Sequence, residues 1–301
     1  MTLIVVKYRP SISKPSIDAT TGVNMLLDSL TQLHSRLTHP AFVALQHQID
    51  LAELTAWPDS RVLNDIASAP MRFIDDPIMG SPEQVQLTQL GYEGFIDATS
   101  SIPTRRNWHD VFNACIWHQF PRCKQRLNQL HIQYINAFGA KPRGLLRDRI
   151  THFDECGVIL AYTLPPQSTG SSPQSSPFIP DLLTQHAWHA AFVEQRAQWG
   201  AKIHPYVFGH ANLEMLLDPH IGLTAKWIGV AVPDGFFAQH PRLQTNLLDA
   251  ILAKQLDPEF FAQKLKPLPI LGIPGWWPNQ NSDFYADTAY FRPKRATESR
   301  K

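Results

Sequence analysis

Cysteine is scarce in this chain. Three residues out of 301, Cys115, Cys123 and Cys156, are odd in number and too few for a disulfide framework, which points to free thiols in a reducing compartment, the cytoplasm. Net charge is almost absent as well: Lys+Arg 27 against Asp+Glu 26 leave +1, so the total gives no bias toward nucleic acid or acidic surfaces. Long apolar runs are missing. The opening MTLIVVKYRP holds one short aliphatic run, Leu3 to Val6, with its positive charges after it, the pattern of neither a signal peptide nor a membrane span. A Gly-rich phosphate loop, a serine nucleophile elbow, a paired-cysteine motif and an internal repeat are also lacking.

What is present is an ordinary globular composition, 44% hydrophobic and 18% charged, with enough residues for a large core. Helical periodicity is clearest over 22–37, where Val23, Leu26, Leu27, Leu30, Leu33 and Leu37 share a face. Ser81, Pro82 and Glu83 read as N-cap, first turn and early acid of a helix. Asn107 caps another, with Trp108, Phe112, Cys115 and Ile116 on its apolar side; Pro121 opens the next, with Leu127, Leu130, Tyr134 and Phe138 inward and Gly139 as stop. Further helices are expected near 181–199, 210–217, 243–255 and 258–265. Short strands are expected at Leu3–Tyr8, Ile150–Phe153, Val158–Tyr162, Ile203–Phe208 and Lys226–Val232. The second and third flank Asp154-Glu155-Cys156-Gly157, which suggests a hairpin, with helix-then-strand as the alternative.

The expected class is therefore α+β: a predominantly helical single domain over 1–293 with a small, mostly antiparallel sheet, followed by a basic tail, 294–301. Residues 165–180, with five prolines and five serines, read as a flexible insertion. The segment 267–293 holds Trp276, Trp277, Phe284, Tyr285, Tyr290 and Phe291 among prolines and glycines, and reads as an extended C-terminal strap whose aromatics pack on the body.

Several motifs carry a family resemblance. Asn107-Trp108-His109, Phe112, Asn113, Trp117, Phe120-Pro121-Arg122, Lys124 and Asn128 form the first, and Arg147-Asp148, Thr151, Phe153-Asp154-Glu155 and Gly157 the second. Phe208-Gly209-His210-Ala211, Glu214, Pro219 and Thr224 follow, then Pro267-Leu268-Pro269, Gly272, Pro274-Gly275-Trp276-Trp277, Phe284-Tyr285 and Phe291-Arg292-Pro293. Together, over roughly 40–293, they resemble the bacterial family called domain of unknown function 3025. The resemblance implies a bacterial source and one domain; it brings no reaction, ligand or catalytic residue, and the three cysteines lie outside its pattern.

Chemistry must then come from the residues. His210 and Glu214, at i, i+4 on one helix, could bind a metal or act as base and orienting partner. Asp148 and the pair Asp154 and Glu155 offer oxygen ligands for Mg²⁺ or Mn²⁺, or an acid beside an ionised carboxylate, although on a strand only one of Asp154 and Glu155 would face a site. His109 and Asn113 share the polar face of the Trp108 helix. Cys115, His118, Cys123 and His131 invite a zinc reading that their helical placement argues against. From Arg105 to Arg149 nine basic residues face two acids, and Arg122, Lys124, Arg143, Arg147 and Arg149 could hold an anionic, phosphate-bearing ligand.

Two functions follow from these candidates. One is an enzyme with a catalytic set His210, Glu214, Asp154 and Glu155, a divalent ion on His210, Glu214 and Asp154, and hydrolysis of an anionic substrate held by the basic residues with His109 and Asn113. The other is a non-catalytic module binding nucleic acid or an acidic protein through residues 105–149. The first requires the two carboxylate–histidine motifs to line one concavity.

Overall fold

A computed structural model describes residues 33–47, 51–66, 71–165 and 177–295 of the chain. Most of the 22–37 helix, the Leu3–Tyr8 strand, most of the Pro/Ser-rich insertion and nearly all of the basic tail lie outside the described residues.

Two short helices, α1 (Val43–Gln46) and α2 (Ser60–Asp65), precede a two-stranded parallel sheet of β1 (Arg72–Asp75) and β2 (Ser101–Thr104), joined by α3 (Pro82–Thr99). Then come α4 (Trp108–Gln119), α5 (Pro121–Phe138) and α6 (Leu145–Cys156), which runs directly into β3 (Gly157–Thr163). The rest alternates: α7 (Ile179–Gln185), β4 (Ile203–Val207), α8 (His210–Met215), β5 (Thr224–Val232), α9 (Pro241–Gln255), α10 (Pro258–Ala262), β6 (Lys266–Pro269) and α11 (Ser282–Ala286). The larger sheet has the order β4-β3-β5-β6, antiparallel at both outer pairings and parallel at β3/β5. The class is α+β and mostly helical, and the sheets are mixed and parallel rather than purely antiparallel. The central strand β3 reads Gly-Val-Ile-Leu-Ala with every residue buried, as a strand covered on both faces must.

Local chemistry explains the boundaries. The Ser81 hydroxyl accepts from Gln84 N at 3.2 Å and the Asn107 side chain from Asp110 N at 2.8 Å, the two caps the sequence predicts. The start of α5 is capped from a distance: Asp249, buried on α9, accepts from Cys123 N at 2.8 Å and Arg122 N at 3.1 Å. Gly139, with φ +84°, ends α5.

The structure corrects four expectations. Ile150–Phe153 is helix, not strand, because Leu146, Ile150 and Phe153 recur at helical spacing and turn inward together. Phe138 is exposed and rests on Tyr134 rather than on the core. The span 181–199 is broken: α7 ends at His186 (φ +58°), and a π turn and a 3₁₀ turn follow. The insertion stops earlier than expected, since Ile179 and Pro180 are already buried at the start of α7.

The C-terminal strap packs as expected, though it folds into β6, a 3₁₀ turn and α11 instead of staying extended. Trp276 is 5% exposed, sits edge-on to His39 at 5.4 Å, and its carbonyl lies 2.9 Å from His39 Nε2. Trp276→Ala should therefore cost about 3 to 5 kcal/mol, the usual toll of deleting a core aromatic, and Trp277→Ala, half-buried at the edge, distinctly less. Chemical denaturation of the two variants measures the difference.

Candidate functional site

The end of α6 and the start of α8 are held almost in contact by two glycines. A side chain at Gly209 would meet Gly157 N at 2.4 Å and Glu155 O at 2.5 Å; one at Gly157 would meet Phe153 O at 2.3 Å. Gly157 O accepts from both Phe208 N (2.9 Å) and Gly209 N (2.8 Å), and Asn212 Nδ2 donates to Cys156 O at 3.2 Å. This brings His210, the first residue of α8, beside Glu155, the next-to-last residue of α6. Helix α4 packs across α8 and supplies His109.

His210 Nε2 lies 3.4 Å and His109 Nε2 3.7 Å from the same oxygen, Glu155 Oε2. The two rings stand edge to face at 4.5 Å, and one ligand atom from each of the three residues falls within 4.8 Å of the others. Among the described residues this is the one such cluster of three metal-ligating groups. Glu214 stands behind it, accepting from His109 Nδ1 at 3.1 Å. That bond places the proton of a neutral His109 on Nδ1 and turns the Nε2 lone pair toward Glu155.

Electrostatics separates the three groups. Burial pushes His210 down to about 3, against the neighbouring Asp154 carboxylate, so its ring is neutral at ordinary pH. His109 is pushed up, first by the hydrogen bond to Glu214, against a smaller desolvation cost. Burial raises Glu155. Nδ1 of His210 is buried without a hydrogen-bond partner, and a contact with the Asp154 backbone opposes the burial shift only weakly.

The cluster sits at one side of a cavity of about 610 Å³. Asp154 and Glu155 both line it, because on a helix adjacent side chains diverge by about 100° and not by the 180° of a strand. Lys124, 4% exposed, donates to Asp154 Oδ1 at 2.5 Å and Asn113 Oδ1 at 2.8 Å, and its ammonium lies 5.4 Å from the Trp117 ring centre. Burial raises Asp154, but Lys124 and the adjacent histidines outweigh it and hold the carboxyl below its ordinary value. A second network closes the far wall. Glu93 Oε1 faces Arg147 Nη2 at 3.4 Å, Arg143 Nη2 at 3.6 Å and His131 Nδ1 at 3.7 Å.

Of the sequence candidates, His109, Asn113, Lys124, Arg143, Asp154, Glu155 and His210 line this cavity, and Glu214 backs it through His109. The other basic residues do not reach it. Arg147 is buried, donating to His131 Nδ1 at 3.3 Å and Ala140 O at 3.0 Å. Arg149 is turned to the carbonyls of Phe261 and Ala262, and Arg122 lies on a separate shallow depression with Arg126 and Lys254. Asp148 faces Arg143 at 3.8 Å. The cysteine–histidine zinc set does not assemble: Cys115 and Cys123 are core residues, and His118 is hydrogen-bonded to Leu63 O at 2.9 Å. Tyr92 and Glu93 enter the cavity without having been singled out by sequence. Their signal was Gly91, a glycine inside a helical pattern, which takes φ +72° and breaks α3 where they begin.

Fold and site together define an α+β protein with a histidine–carboxylate cavity assembled from helix ends. The chain belongs to the family described as "Protein of unknown function (DUF3025)", which matches residues 71–295. No curated protein and no solved structure is significantly similar to it.

Two outcomes are expected. Gly209→Ala should force α6 and α8 apart, lowering stability by roughly 1 to 3 kcal/mol; a variant with unchanged unfolding would refute the close-approach argument. His131 accepts from Arg147 and, buried, is pushed down to about 4. An unfolded histidine titrates near 6.5, so below that pH the unfolded state takes up a proton the folded state refuses, and stability falls between about 6.5 and 4. The stability of the wild type relative to His131→Gln should shrink by about 2 to 3 kcal/mol over that window, read by urea unfolding at stepped pH.

Proposed function

We propose that the protein is a divalent-metal-dependent hydrolase, with His109, His210 and Glu155 holding the ion and Glu214 orienting His109. The reading is carried by one observation: two imidazole Nε2 atoms facing a single carboxylate oxygen at 3.4 and 3.7 Å. Ligand atoms bound at ~2.0–2.2 Å around a tetrahedral ion stand roughly 3.4 Å apart, so those two spacings suit an ion with small side-chain movements. Two histidines and one carboxylate leave coordination positions for water and substrate, and suit Zn²⁺, Mn²⁺ or Fe²⁺ better than Mg²⁺. Such an ion would acidify a bound water and polarise a substrate oxygen.

This assignment moves the ion from His210, Glu214 and Asp154 to His109, His210 and Glu155. Glu214 is taken up by His109, and Asp154 by Lys124. His210 is pre-set as a neutral ligand, and Glu214 supplies the carboxylate-to-histidine contact found behind metal-bound imidazoles. Charge supports the same reading. The residues lining the cavity include five carboxylates (Asp76, Glu93, Asp110, Asp154, Glu155) against three permanent cations (Arg105, Lys124, Arg143), and even with Arg147 counted behind Glu93 the carboxylates remain in excess, which favours a cation.

Four basic residues of 105–149 are not left as an anion clamp, which weighs against a module binding nucleic acid through them, whereas Arg122 and Arg126 share a separate shallow depression with Lys254. Arg147 and Arg149 are engaged within the fold, as are Lys124 and Arg143. Among the described residues no helix is long and apolar enough to cross a membrane.

Elemental analysis of protein purified without an affinity tag, then calorimetry with Zn²⁺ and Mn²⁺, tests the reading. One equivalent of bound ion is expected. His210→Ala and Glu155→Gln should each weaken it by a hundredfold or more, on the order of 3 kcal/mol, with non-additive effects in the double variant because the two share one ligand. Glu214→Gln should weaken it by about tenfold, the scale of an orienting contact. A protein that takes up no ion at either titration would end the metal reading.

A further inference from the structure

Beside the His109, Glu155 and His210 cluster the cavity wall contains a chain of hydrogen bonds whose direction is fixed by its chemistry. An ammonium can only donate, so Lys124 Nζ donates to Asp154 Oδ1 and to Asn113 Oδ1. That assigns the Asn113 amide without ambiguity: its oxygen faces Lys124, and its nitrogen faces Tyr92 Oη at 2.9 Å. Asn113 Nδ2 therefore donates, and Tyr92 Oη accepts.

A phenol that accepts through its oxygen still has a proton to give. Among the described residues the Tyr92 hydroxyl has no acceptor for it. Asn113 and Tyr92 both line the cavity. The side chain is part-exposed, and desolvation raises the hydroxyl above an ordinary phenol, so the group is a neutral O–H donor at neutral pH. The chain of donors that begins at a buried cation also polarises its last member.

We propose, building on the metal reading above, that the Tyr92 hydroxyl binds the carbonyl oxygen of an uncharged acyl ester or amide, and that this is the substrate class of the cavity. Three further features favour a neutral acyl compound over a phosphate ester. Each cation of the wall already faces a carboxylate: Lys124 faces Asp154, Arg105 grips Asp110 at 2.9 and 3.0 Å, and Arg143 faces Glu93. With the remaining carboxylates balanced by a divalent ion, no net positive charge is left in the wall to offset a phosphate dianion. The lining also includes hydrocarbon, Leu87, Ile96, Pro103 and Leu127, beside the polar Asn128 and Thr151, and an apolar acyl or leaving group can lie against it.

Tyr92 owes its position to Gly91. With φ +72° and ψ 175° at that residue, α3 breaks and the following turn is re-aimed, a conformation that a residue with a side chain enters only with strain.

The test uses full-length protein loaded with the ion that calorimetry selects. Turnover of p-nitrophenyl butyrate should exceed that of p-nitrophenyl phosphate by about a hundredfold or more in kcat/KM. Tyr92→Phe keeps the ring and removes the donor; it should lower kcat/KM for the butyrate by about 5- to 30-fold, the worth of one buried hydrogen bond. Melting temperature and metal affinity should hold, and His210→Ala should abolish the activity and so exclude surface esterolysis. Preference for the phosphate, no butyrate turnover by loaded protein, or an unaltered Tyr92→Phe variant would each overturn the proposal. Tyr92→Trp, which restores a buried donor on an aromatic ring, is a second variant: should Tyr92→Phe unfold, activity lost in a folded Tyr92→Trp protein would also overturn it. Metal content is measured separately, so a metal-free protein whose butyrate turnover still depends on Tyr92 would defeat the metal reading and leave this one standing.

Discussion

The architecture of the site depends on one close approach, the backbone of Gly209 against that of residues 155–157. A Cβ at 209 would stand 2.4–2.6 Å from three backbone atoms, a separation at which only glycine lets the two segments meet. Because they meet, Gly157 can accept two hydrogen bonds from Phe208 and Gly209, α8 can begin against the end of α6, and His210 arrives beside Glu155. The same junction feeds the sheet, since β3 leaves Gly157 to become the central strand between β4 and β5. Core packing and site geometry thus share one set of backbone contacts, and neither can be adjusted alone.

Charge is organised on the same principle. The stretch from Arg105 to Arg149 looks like a basic surface in one dimension, yet its members face acids and carbonyls drawn from elsewhere in the chain. Arg126 donates to Leu256 O at 2.8 Å, Arg147 reaches Glu93, Arg149 reaches α10, and Lys124 reaches Asp154. Buried cations such as Lys124 and Arg147 are costly to strand without a partner, so the acids of α3 and α6 are part of the structural requirement. What remains after pairing is an excess of carboxylate in the cavity. A count of basic residues along the sequence therefore gives the wrong sign for the pocket they help to build.

The elements most legible in the sequence are those governed by neighbours within a few residues. Ser81, Asn107 and Pro121 mark helix starts that the structure keeps, and the strands 158–162, 203–207 and 226–232 are mostly apolar runs of the larger sheet. Two short strands, Arg72–Asp75 and Ser101–Thr104, carry no such signal; they exist because α3 brings their ends together. Asp154 and Glu155 are legible as site residues, and of the two settings their sequence allows, a hairpin or a helix running into a strand, the structure has the second because Leu146, Ile150 and Phe153 keep helical spacing. His109 was seen as a binder and not as a ligand, because its partners are 46 and 101 residues away at Glu155 and His210. Long-range pairing of this sort is set by packing, which single-sequence periodicity does not encode.

The three clustered side chains, His109, Glu155 and His210, all stand on helices, and so does Glu214. Helix-borne groups hold their directions better than loop-borne ones, and here each is further tied down: His109 by Glu214, His210 by the Gly209 junction, and Glu155 by its place on the last turn of α6. The wall that carries Tyr92 is tied down by a single break. Gly91 delivers Tyr92 to Asn113 and Glu93 to Arg147 in consecutive residues, so one left-handed backbone position sets both polar networks on that side. The cavity thus lies between two fixed points, the Gly209 contact and the Gly91 turn, with Lys124 bridging them through Asp154 on one side and Asn113 on the other. Lys124 donates at once to α4 and α6, the helices that carry His109 and Glu155, so removing its charge would free Asp154 and Asn113 together and loosen both ends of the site.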